Sequence, residues 1–190
     1  MVWKEIKYEN LSQKEIKLLV AEVNIMRSLK DPFIVRYYER ILDKERSKIY
    51  IVMEYCEQGD LKKYIDKHKK TGEPVEEEFI WKILAQMLIA LKVCHTNERK
   101  IIHRDIKPGN IFLDKEGNVK LGDFGLSKEL QENSICATTN VGTPYYMSPE
   151  QVGGNQYDEK CDIWALGCIL HEMACLKVPF RAENYLKLAE

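Results

Sequence analysis

The first part of the chain has the apolar spacing of a strand, then a helix, then two further strands. Residues 1–7 alternate loosely between apolar and polar side chains, which predicts a strand. A capping-box pattern begins at Ser12, and apolar residues then recur at helical spacing as far as Leu29. Two β-branched and aromatic runs follow, over residues 34–42 and 47–54, and predict two strands.

The second part of the chain is dominated by helical spacing. It predicts helices over residues 61–70, 76–95 and 161–175, with short strands at 111–113 and 119–121 between the last two. The helix over 161–175 is apolar almost all round and is therefore expected to be buried. The face of the 76–95 helix that we expect to be buried consists of Phe79, Ile80, Ile83, Leu84, Met87, Leu88 and Leu91. Strands and helices in this order predict an α+β fold.

Composition narrows the class of protein and its partners. The chain has 190 residues, 45% of them apolar and 31% charged, which is typical of a globular protein. Its net charge of -1 gives no electrostatic reason to expect nucleic acid or an anionic membrane as a partner. No apolar run in the sequence suggests a membrane span, and the start of the chain does not resemble a signal peptide.

The six cysteines are predicted to be reduced thiols rather than zinc ligands or disulfides. None of them forms a C-x-x-C pair, and no secretory signal precedes them. We therefore expect an intracellular, cytoplasmic location. Cys161, Cys168 and Cys175 recur every seven residues, so they share one helix face and are expected to pack in the core.

The stretch that carries chemistry runs from His103 to Glu150. It opens with His-Arg-Asp-Ile-Lys-Pro-Gly-Asn over residues 103–110, and Asp123-Phe124-Gly125 begins eighteen residues after Asp105. The run Thr-Pro-Tyr-Tyr-Met-Ser-Pro-Glu follows at residues 143–150. Phosphoryl transfer requires such a set, because a carboxylate orients the attacking hydroxyl, a cation steadies the phosphoryl group, and hard oxygen ligands hold magnesium.

In order and spacing these motifs resemble those of eukaryotic protein kinases of the Ser/Thr branch. Val2-Trp3-Lys4-Glu5, residues 34–38 (Ile-Val-Arg-Tyr-Tyr) and residues 50–57 (Tyr-Ile-Val-Met-Glu-Tyr-Cys-Glu) are similar to the NIMA-related kinase family. The resemblance covers nearly the whole chain. It implies a two-lobed kinase-like fold with a partial small lobe over residues 1–55 and a partial large lobe over residues 56–190. It also implies ATP and Ser/Thr-containing proteins as substrates, Mg²⁺ as cofactor, and association with microtubules or centrosomes as a further hypothesis.

The resemblance assigns roles to particular residues. The catalytic set it implies is Asp105, Lys107, Lys4, Glu22 and Thr143, with Lys4 paired to Glu22. The ATP-binding set is Val2, Lys4, Met53, Glu54, Cys56, Asp60, Asn110, Phe112 and Asp123, of which Asn110 and Asp123 would hold the metal. The regulatory set is Arg104, Thr138 and Thr139, because a phosphate on either threonine could bind Arg104. The structural set is His103 and Phe124, stacked with Met26 and Tyr37, and Asp162, which would accept hydrogen bonds from the catalytic-loop backbone.

Two features keep an alternative open. No glycine precedes Gly59, so we expect this sequence to lack the family's Gly-rich phosphate loop and, with it, the first two strands of the small lobe. We also expect the last helices of the large lobe to be absent, so the predicted fold is truncated at both ends, with the strand of Lys4 at a sheet edge. The alternative is therefore an inactive fragment or pseudokinase that acts as a binding module. A small-molecule kinase is disfavoured, because residues 142–150 resemble a peptide-substrate platform. The sequence does not specify the protein substrate or the oligomeric state.

Overall fold

The N-terminal sheet consists of three antiparallel strands. The computed structural model describes residues 1–9, 11–96, 100–124, 145–181 and 187, without the side chains of residues 13–15, 18, 21 and 22. Strands β1 (Val2–Lys7), β2 (Tyr37–Asp43) and β3 (Lys48–Met53) lie in the order β1-β3-β2. β1 is therefore an edge strand, as predicted, and Val2 lies opposite Met53 in its register with β3.

Helix α1 (Gln13–Ser28) packs beside this sheet. Its buried side chains Leu19, Val23 and Met26 recur at the three- and four-residue spacing that the sequence predicted, and Leu29 continues the stripe. Burying such a stripe supplies most of the helix's stability, because isolated helices of this length are marginal in water. The chain then crosses to β2 through a short bridge in which Ile34 pairs in parallel with Leu121.

A second small sheet and two helices form the centre of the molecule. Strands β4 (Gly59–Asp60), β5 (Ile111–Leu113) and β6 (Val119–Leu121) pair antiparallel in chain order. Helix α2 (Leu61–Thr71) begins where the Asp60 carboxylate accepts the Lys63 N–H at 2.9 Å. It ends at Gly72, whose φ of 75° is a left-handed conformation that glycine adopts at little cost.

Helix α3 (Glu77–Thr96) forms the middle of the core and packs against the last long helix. Ile83, Met87 and Leu91 are fully buried, as predicted. Leu88 is not: it is 43% exposed, because Ala90 and Cys94 complete the buried stripe on the side away from it. By length and composition alone this helix could also cross a membrane, although no membrane span was expected from the sequence. The core helices of soluble proteins have the same length and composition.

The C-terminal part of the described chain contains helices α4 (Pro149–Val152) and α5 (Lys160–Cys175). The prediction that α5 is buried all round is wrong, because Ile163 and Trp164 are exposed on one side of it. Cys175 is also exposed, whereas Cys161 and Cys168 are buried, so only two of the three cysteines pack in the core. Cys175 is the last residue of the helix, so the buried stripe ends before it.

The observed mixture of antiparallel sheets and helices confirms the α+β class. Main-chain bonds join the segment before β2 to β6, since Val35 donates to the Leu121 carbonyl at 2.8 Å and Leu121 donates to the Phe33 carbonyl at 2.8 Å. The first sheet ends at Met53 and the second begins at Gly59, on either side of the boundary predicted between residues 55 and 56. That boundary stays a prediction.

Candidate active site

A buried carboxylate on α5 supports the loop that carries His103, Arg104 and Asp105. Asp162, on the first turn of α5, is only 1% exposed. Its Oδ2 accepts the His103 N–H and its Oδ1 the Arg104 N–H, each at 2.9 Å, which confirms the predicted role of Asp162. These bonds fix Arg104 at a φ of 68°, a left-handed conformation that a residue with a side chain adopts only at an energetic cost.

The ring of His103 connects this loop to the turn that carries Asp123. Its Nε2 donates to the Gly122 carbonyl at 3.0 Å, and its Nδ1 accepts the Asp105 N–H at 3.4 Å. Its ring centroid lies 4.8 Å from that of Phe124 with the rings tilted by 47°, so these two members of the predicted column are in contact, and the positions of Met26 and Tyr37 in it stay predictions. Burial lowers the pKa of His103, although the Asp162 charge and the Gly122 carbonyl oppose the shift. The imidazole is therefore a neutral structural link between the two turns.

Asp105 contacts one residue of the predicted catalytic set, Lys107, and one of the predicted metal-binding pair, Asn110. Lys107 Nζ lies 2.7 Å from Asp105 Oδ2, and Asn110 Nδ2 lies 3.0 Å from the same oxygen. Asn110 also donates to the Asp105 main-chain carbonyl at 2.8 Å, within a 3₁₀ turn over Pro108–Asn110. A carboxylate, an ammonium group and an amide thus converge within six residues of chain.

The turn that carries Asp123 is placed next to Asn110 by a residue with no room for a side chain. A Cβ on Gly122 would lie 2.9 Å from Val35 Cγ2 and 3.1 Å from Phe112 Cε2. The Gly122 N–H donates to the Asn110 carbonyl at 3.0 Å, and Asp123 follows with a φ of 53°. Lys4 Nζ reaches the Asp123 carboxylate at 2.6 Å, although 119 positions separate the two residues in the chain.

The oxygens that remain at Asn110 and Asp123 suit Mg²⁺. The amide nitrogen of Asn110 donates to Asp105, so Oδ1 is the atom of this side chain that could bind a metal. Asp123 Oδ1 forms the ion pair with Lys4, and the Asp123 side chain is 37% exposed. The described residues contain no group of three or more His, Cys, Asp or Glu side chains that could enclose a metal. Two hard oxygens fit a cation that keeps phosphate and water as its other ligands.

The residues predicted to bind adenosine come together in pairs across the strands. Val2 lies opposite Met53 on β1 and β3, and Asp60 lies opposite Phe112 on β4 and β5. Asp60 has a second role that the sequence reading did not assign, because its carboxylate caps α2. The nucleotide roles of these four residues stay predictions.

The segment between the two sheets holds Glu54 and Cys56. The Glu54 carboxylate accepts the Arg36 N–H at 3.1 Å and forms an ion pair with Lys120 at 2.8 Å. Cys56 is buried, and this burial raises the pKa of its thiol to about 11. Its side chain is therefore a neutral packing group, and any contact with a nucleotide here would involve the main chain.

Four predicted residues lie outside what the structure describes. They are the side chain of Glu22 and the residues Thr138, Thr139 and Thr143. The predicted ion pair between Lys4 and Glu22 is therefore untested. The partner that the structure gives to Lys4 is Asp123, which the sequence reading had assigned to the metal.

Comparison with known proteins agrees with this geometry. The family model described as "Protein kinase domain" matches residues 1–190. The chain belongs to the protein kinase family. Its fold, its motifs and the order of its elements are those of a kinase domain.

The relatives of this kinase chain include NIMA-type proteins, as the motifs indicated. The "Probable serine/threonine-protein kinase nek2" of Dictyostelium discoideum is 54% identical over 99% of this chain and 45% of its own length. The human "Serine/threonine-protein kinase Nek2" is 50% identical over 100% of this chain and 43% of its own length. The "G2-specific protein kinase nimA" of Emericella nidulans is 41% identical over 98% of this chain and 30% of its own length. The chain thus spans less than half the length of these relatives.

Sequence reasoning missed one residue that supports the kinase loop. His95, in the last turn of α3, places Nε2 2.8 Å from Asp162 Oδ2, the oxygen that also accepts the His103 N–H. A signal was present in the sequence, because His95 follows Leu91 by four positions and continues the buried stripe of α3. A polar residue on such a stripe requires a buried partner.

Proposed function

We propose that this chain carries the catalytic centre of an ATP- and Mg²⁺-dependent protein serine/threonine kinase of NIMA-related type. The observation that carries the proposal is the convergence on Asp105 of Lys107 and Asn110, in a loop tied to Asp123 through Gly122. The names of the relatives support the Ser/Thr class. The cytoplasm stays the proposed location.

Each side chain has a distinct task in the proposed reaction. Asp105 accepts a hydrogen bond from the substrate hydroxyl and orients its oxygen toward the phosphoryl group. Lys107, 2.7 Å from Asp105, neutralises negative charge that the phosphoryl oxygens carry during transfer. Asn110 Oδ1 and the Asp123 carboxylate would hold Mg²⁺, which when bound neutralises the phosphates and orients them.

Lys4 has to exchange partners for the proposed reaction to occur. In the structure its ammonium group pairs with Asp123, and both side chains are about one-third exposed, at 34% and 37%. Partly exposed ion pairs are weak because water competes with them, so bound phosphate can take over the Lys4 contact. We propose that Lys4 then contacts the nucleotide's phosphates and that Asp123 is released to the metal. Glu22 is proposed to orient Lys4, and Thr143 to hydrogen-bond beside Asp105.

The test uses the full-length protein and a peptide with a single serine. Asp105→Asn is expected to lower kcat by about a thousandfold, because the oriented carboxylate is lost while the shape of the side chain is kept. Asp123→Ala should lower activity comparably and also weaken binding of a fluorescent Mg²⁺-nucleotide. Glu45→Gln, a change to an exposed turn carboxylate, is the matched control and should be silent. Activity within tenfold of wild type for Asp105→Asn would contradict the assignment, and a wild-type protein without transfer would favour the pseudokinase alternative.

A regulatory role is proposed for Arg104. Its guanidinium lies 5.8 Å from the ring centroid of Tyr157, on the exposed side of the loop that Asp162 holds. A phosphate on Thr138 or Thr139 would offer it a stronger partner. Replacing both threonines by alanine should lower activity, and adding Arg104→Ala should cause little further loss, because both changes remove one contact. Fully additive losses would exclude this contact.

A further inference from the structure

A cavity of about 490 Å³ lies among the residues that follow α1, the start of β2, and β6. Its floor is apolar, since Leu29 and Ile34 line it and are buried. The charged residues that line it are Lys30, Asp31, Arg36, Glu54 and Lys120. Among the described residues that line it, only Glu54 belongs to the predicted ATP-binding set. The cavity is therefore distinct from the site around Asp105 and Asp123.

The Arg36 side chain is held in place at the rim of this cavity. The Arg36 N–H donates to Glu54 Oε2 at 3.1 Å, and the Arg36 carbonyl accepts the Glu54 N–H at 2.8 Å. A bulge in β2 follows at Tyr38, and the Arg36 guanidinium lies 5.5 Å from the centroid of the Tyr38 ring. The fixed main chain and the cation–π contact restrain an exposed guanidinium, so it loses less conformational entropy when it binds an anion.

The cavity has a surplus of one positive charge. Its two carboxylates are engaged, because Glu54 forms an ion pair with Lys120 at 2.8 Å and Asp31 accepts the Phe33 N–H at 2.8 Å. Among the described residues, Lys30 and the Arg36 guanidinium form no ion pair with a carboxylate. Three cations against two carboxylates leave one charge to be neutralised. A single carboxylate matches this surplus, whereas a phosphate of about -2 charge would be repelled more strongly by the two carboxylates of the wall.

Apolar side chains extend the surface beyond the cavity along β2. Tyr38, Ile41 and Leu42 are large apolar side chains of this strand, and all three are exposed. β2 lies at one edge of its sheet, whose order is β1-β3-β2. Exposed apolar side chains grouped on an edge strand are typical of a surface that contacts another chain. A peptide segment would cover these side chains and the cavity together, whereas a small organic acid would cover the cavity alone.

We propose that the cavity and the adjoining edge of β2 form a docking site for a protein partner. The segment that binds would carry one Asp or Glu side chain next to an apolar side chain. Its carboxylate would bind the Arg36 guanidinium, with Lys30 on the same rim, and its apolar side chain would pack on Leu29 and Ile34. This docking does not depend on the proposed phosphoryl transfer.

The test measures binding of short, end-blocked, fluorescein-labelled peptides to the full-length protein by fluorescence anisotropy. Each peptide carries a central Glu flanked on each side by Ala, Leu or Phe, and its counterparts carry Gln, Lys or phosphoserine instead of Glu. A Glu peptide with apolar flanks should bind about three- to fivefold more tightly than its Gln counterpart, as expected for a partly exposed charge pair. The Lys counterpart should bind more weakly than the Gln peptide, and Ala flanks should weaken binding further.

Variants of the rim sharpen the test. Arg36→Gln keeps the main-chain bonds to Glu54 but removes the guanidinium, so it should abolish the preference for Glu over Gln. Arg27→Gln is the matched control, because Arg27 is an exposed arginine of α1 that does not line the cavity. Tyr38→Ser removes an exposed ring of the docking site and should weaken the peptides with Leu or Phe flanks, while the preference for Glu over Lys persists.

The outcomes decide the proposal. It is overturned if none of the Glu peptides binds, if Glu and Lys peptides bind alike, or if Arg36→Gln and Arg27→Gln respond alike. A phosphoserine peptide that binds about tenfold or more tightly than the Glu peptide would overturn the carboxylate in favour of a phosphorylated partner. Self-association of the protein that Arg36→Gln abolishes, measured by sedimentation, would assign the surface to a second copy of the chain. Because every readout is binding, failure of the docking site leaves the kinase function untouched, and the converse holds.

Discussion

The catalytic loop has two sides: the underside, which contacts Asp162, and the open face, which carries Asp105. Both contain a hydrogen-bonded carboxylate, but the carboxylate of the underside is buried and that of the open face is partly exposed. On the underside, Asp162 is 1% exposed and accepts bonds from His95 and from two main-chain N–H groups. On the open face, the Asp105 side chain is 24% exposed and its described partners include Lys107 and Asn110. The underside is complete within the described residues, whereas the open face consists of the groups to which the proposed reaction assigns the chemistry. In this kinase rigidity and reactivity are therefore separated across one loop.

The largest effect on stability is expected when Asp162, the buried carboxylate of the underside, is replaced. Asp162→Ala removes the acceptor of the buried His103 N–H and of the partly buried Arg104 N–H, and it removes the support for the left-handed Arg104. We expect a loss of about 3 kcal/mol or more in the free energy of unfolding, together with loss of activity. Urea unfolding followed by fluorescence measures the first effect.

Asp158→Ala removes an exposed carboxylate four residues earlier, which accepts the Lys160 N–H at 2.8 Å, and serves as the exposed control for that experiment. It should change stability by less than about 1 kcal/mol. Equal losses of stability in the two variants would mean that burial of the Asp162 carboxylate does not determine how much it contributes to the free energy of unfolding.

A smaller effect is expected at His95. His95→Ala removes one of the donors to Asp162 but leaves both main-chain bonds to the loop. A loss of about 1–3 kcal/mol in stability is expected, with kcat reduced and KM for ATP little changed. His171→Ala, at an exposed histidine of α5, should have almost no effect on stability. If both variants behave alike, His95 is not a support of the loop.

Acidification tests the neutral state of the His103 ring. Burial lowers the pKa of His103 in the folded protein, so the unfolded chain binds the proton more readily. This contribution to stability is complete above the ordinary histidine pKa and is lost as pH falls from there toward the lowered folded value. The urea midpoint should therefore fall on acidification below about pH 6.5, and less so in His103→Phe. Parallel pH profiles for the two proteins would contradict the neutral ring.

The smallest effect on stability is expected on the open face. Lys4→Met removes the ion pair with Asp123, and because both partners are about one-third exposed the cost should be below about 1 kcal/mol. Affinity for Mg²⁺-nucleotide should nevertheless fall about tenfold or more, because the phosphates lose their cation. Equilibrium binding and urea unfolding on the same sample separate the two quantities. A large loss of stability with unchanged affinity would reverse the distinction between the two sides of the loop.

The sequence alone determined the features that arise from neighbours in the chain. The helical spacing over residues 61–70 predicted α2, although its cap at Asp60 came only from the structure, and the spacing of Leu19, Val23 and Met26 fixes the buried face of α1. The motif around Asp105 identified the family, because its residues lie within one loop whose chemistry needs them together. These features require only short-range geometry, which a linear pattern records.

Only the tertiary structure decided the contacts between distant residues and the faces that stay exposed. Lys4 pairs with Asp123 across 119 positions, and Lys69 pairs with Glu172 across 103. No periodicity encodes such pairs, since each depends on how the sheets and helices are placed. Leu88 and Cys175 were expected in the core because their spacing fits a buried stripe, yet both are exposed. A helix pattern shows which residues share a face, but the neighbouring elements determine how much of that face is covered.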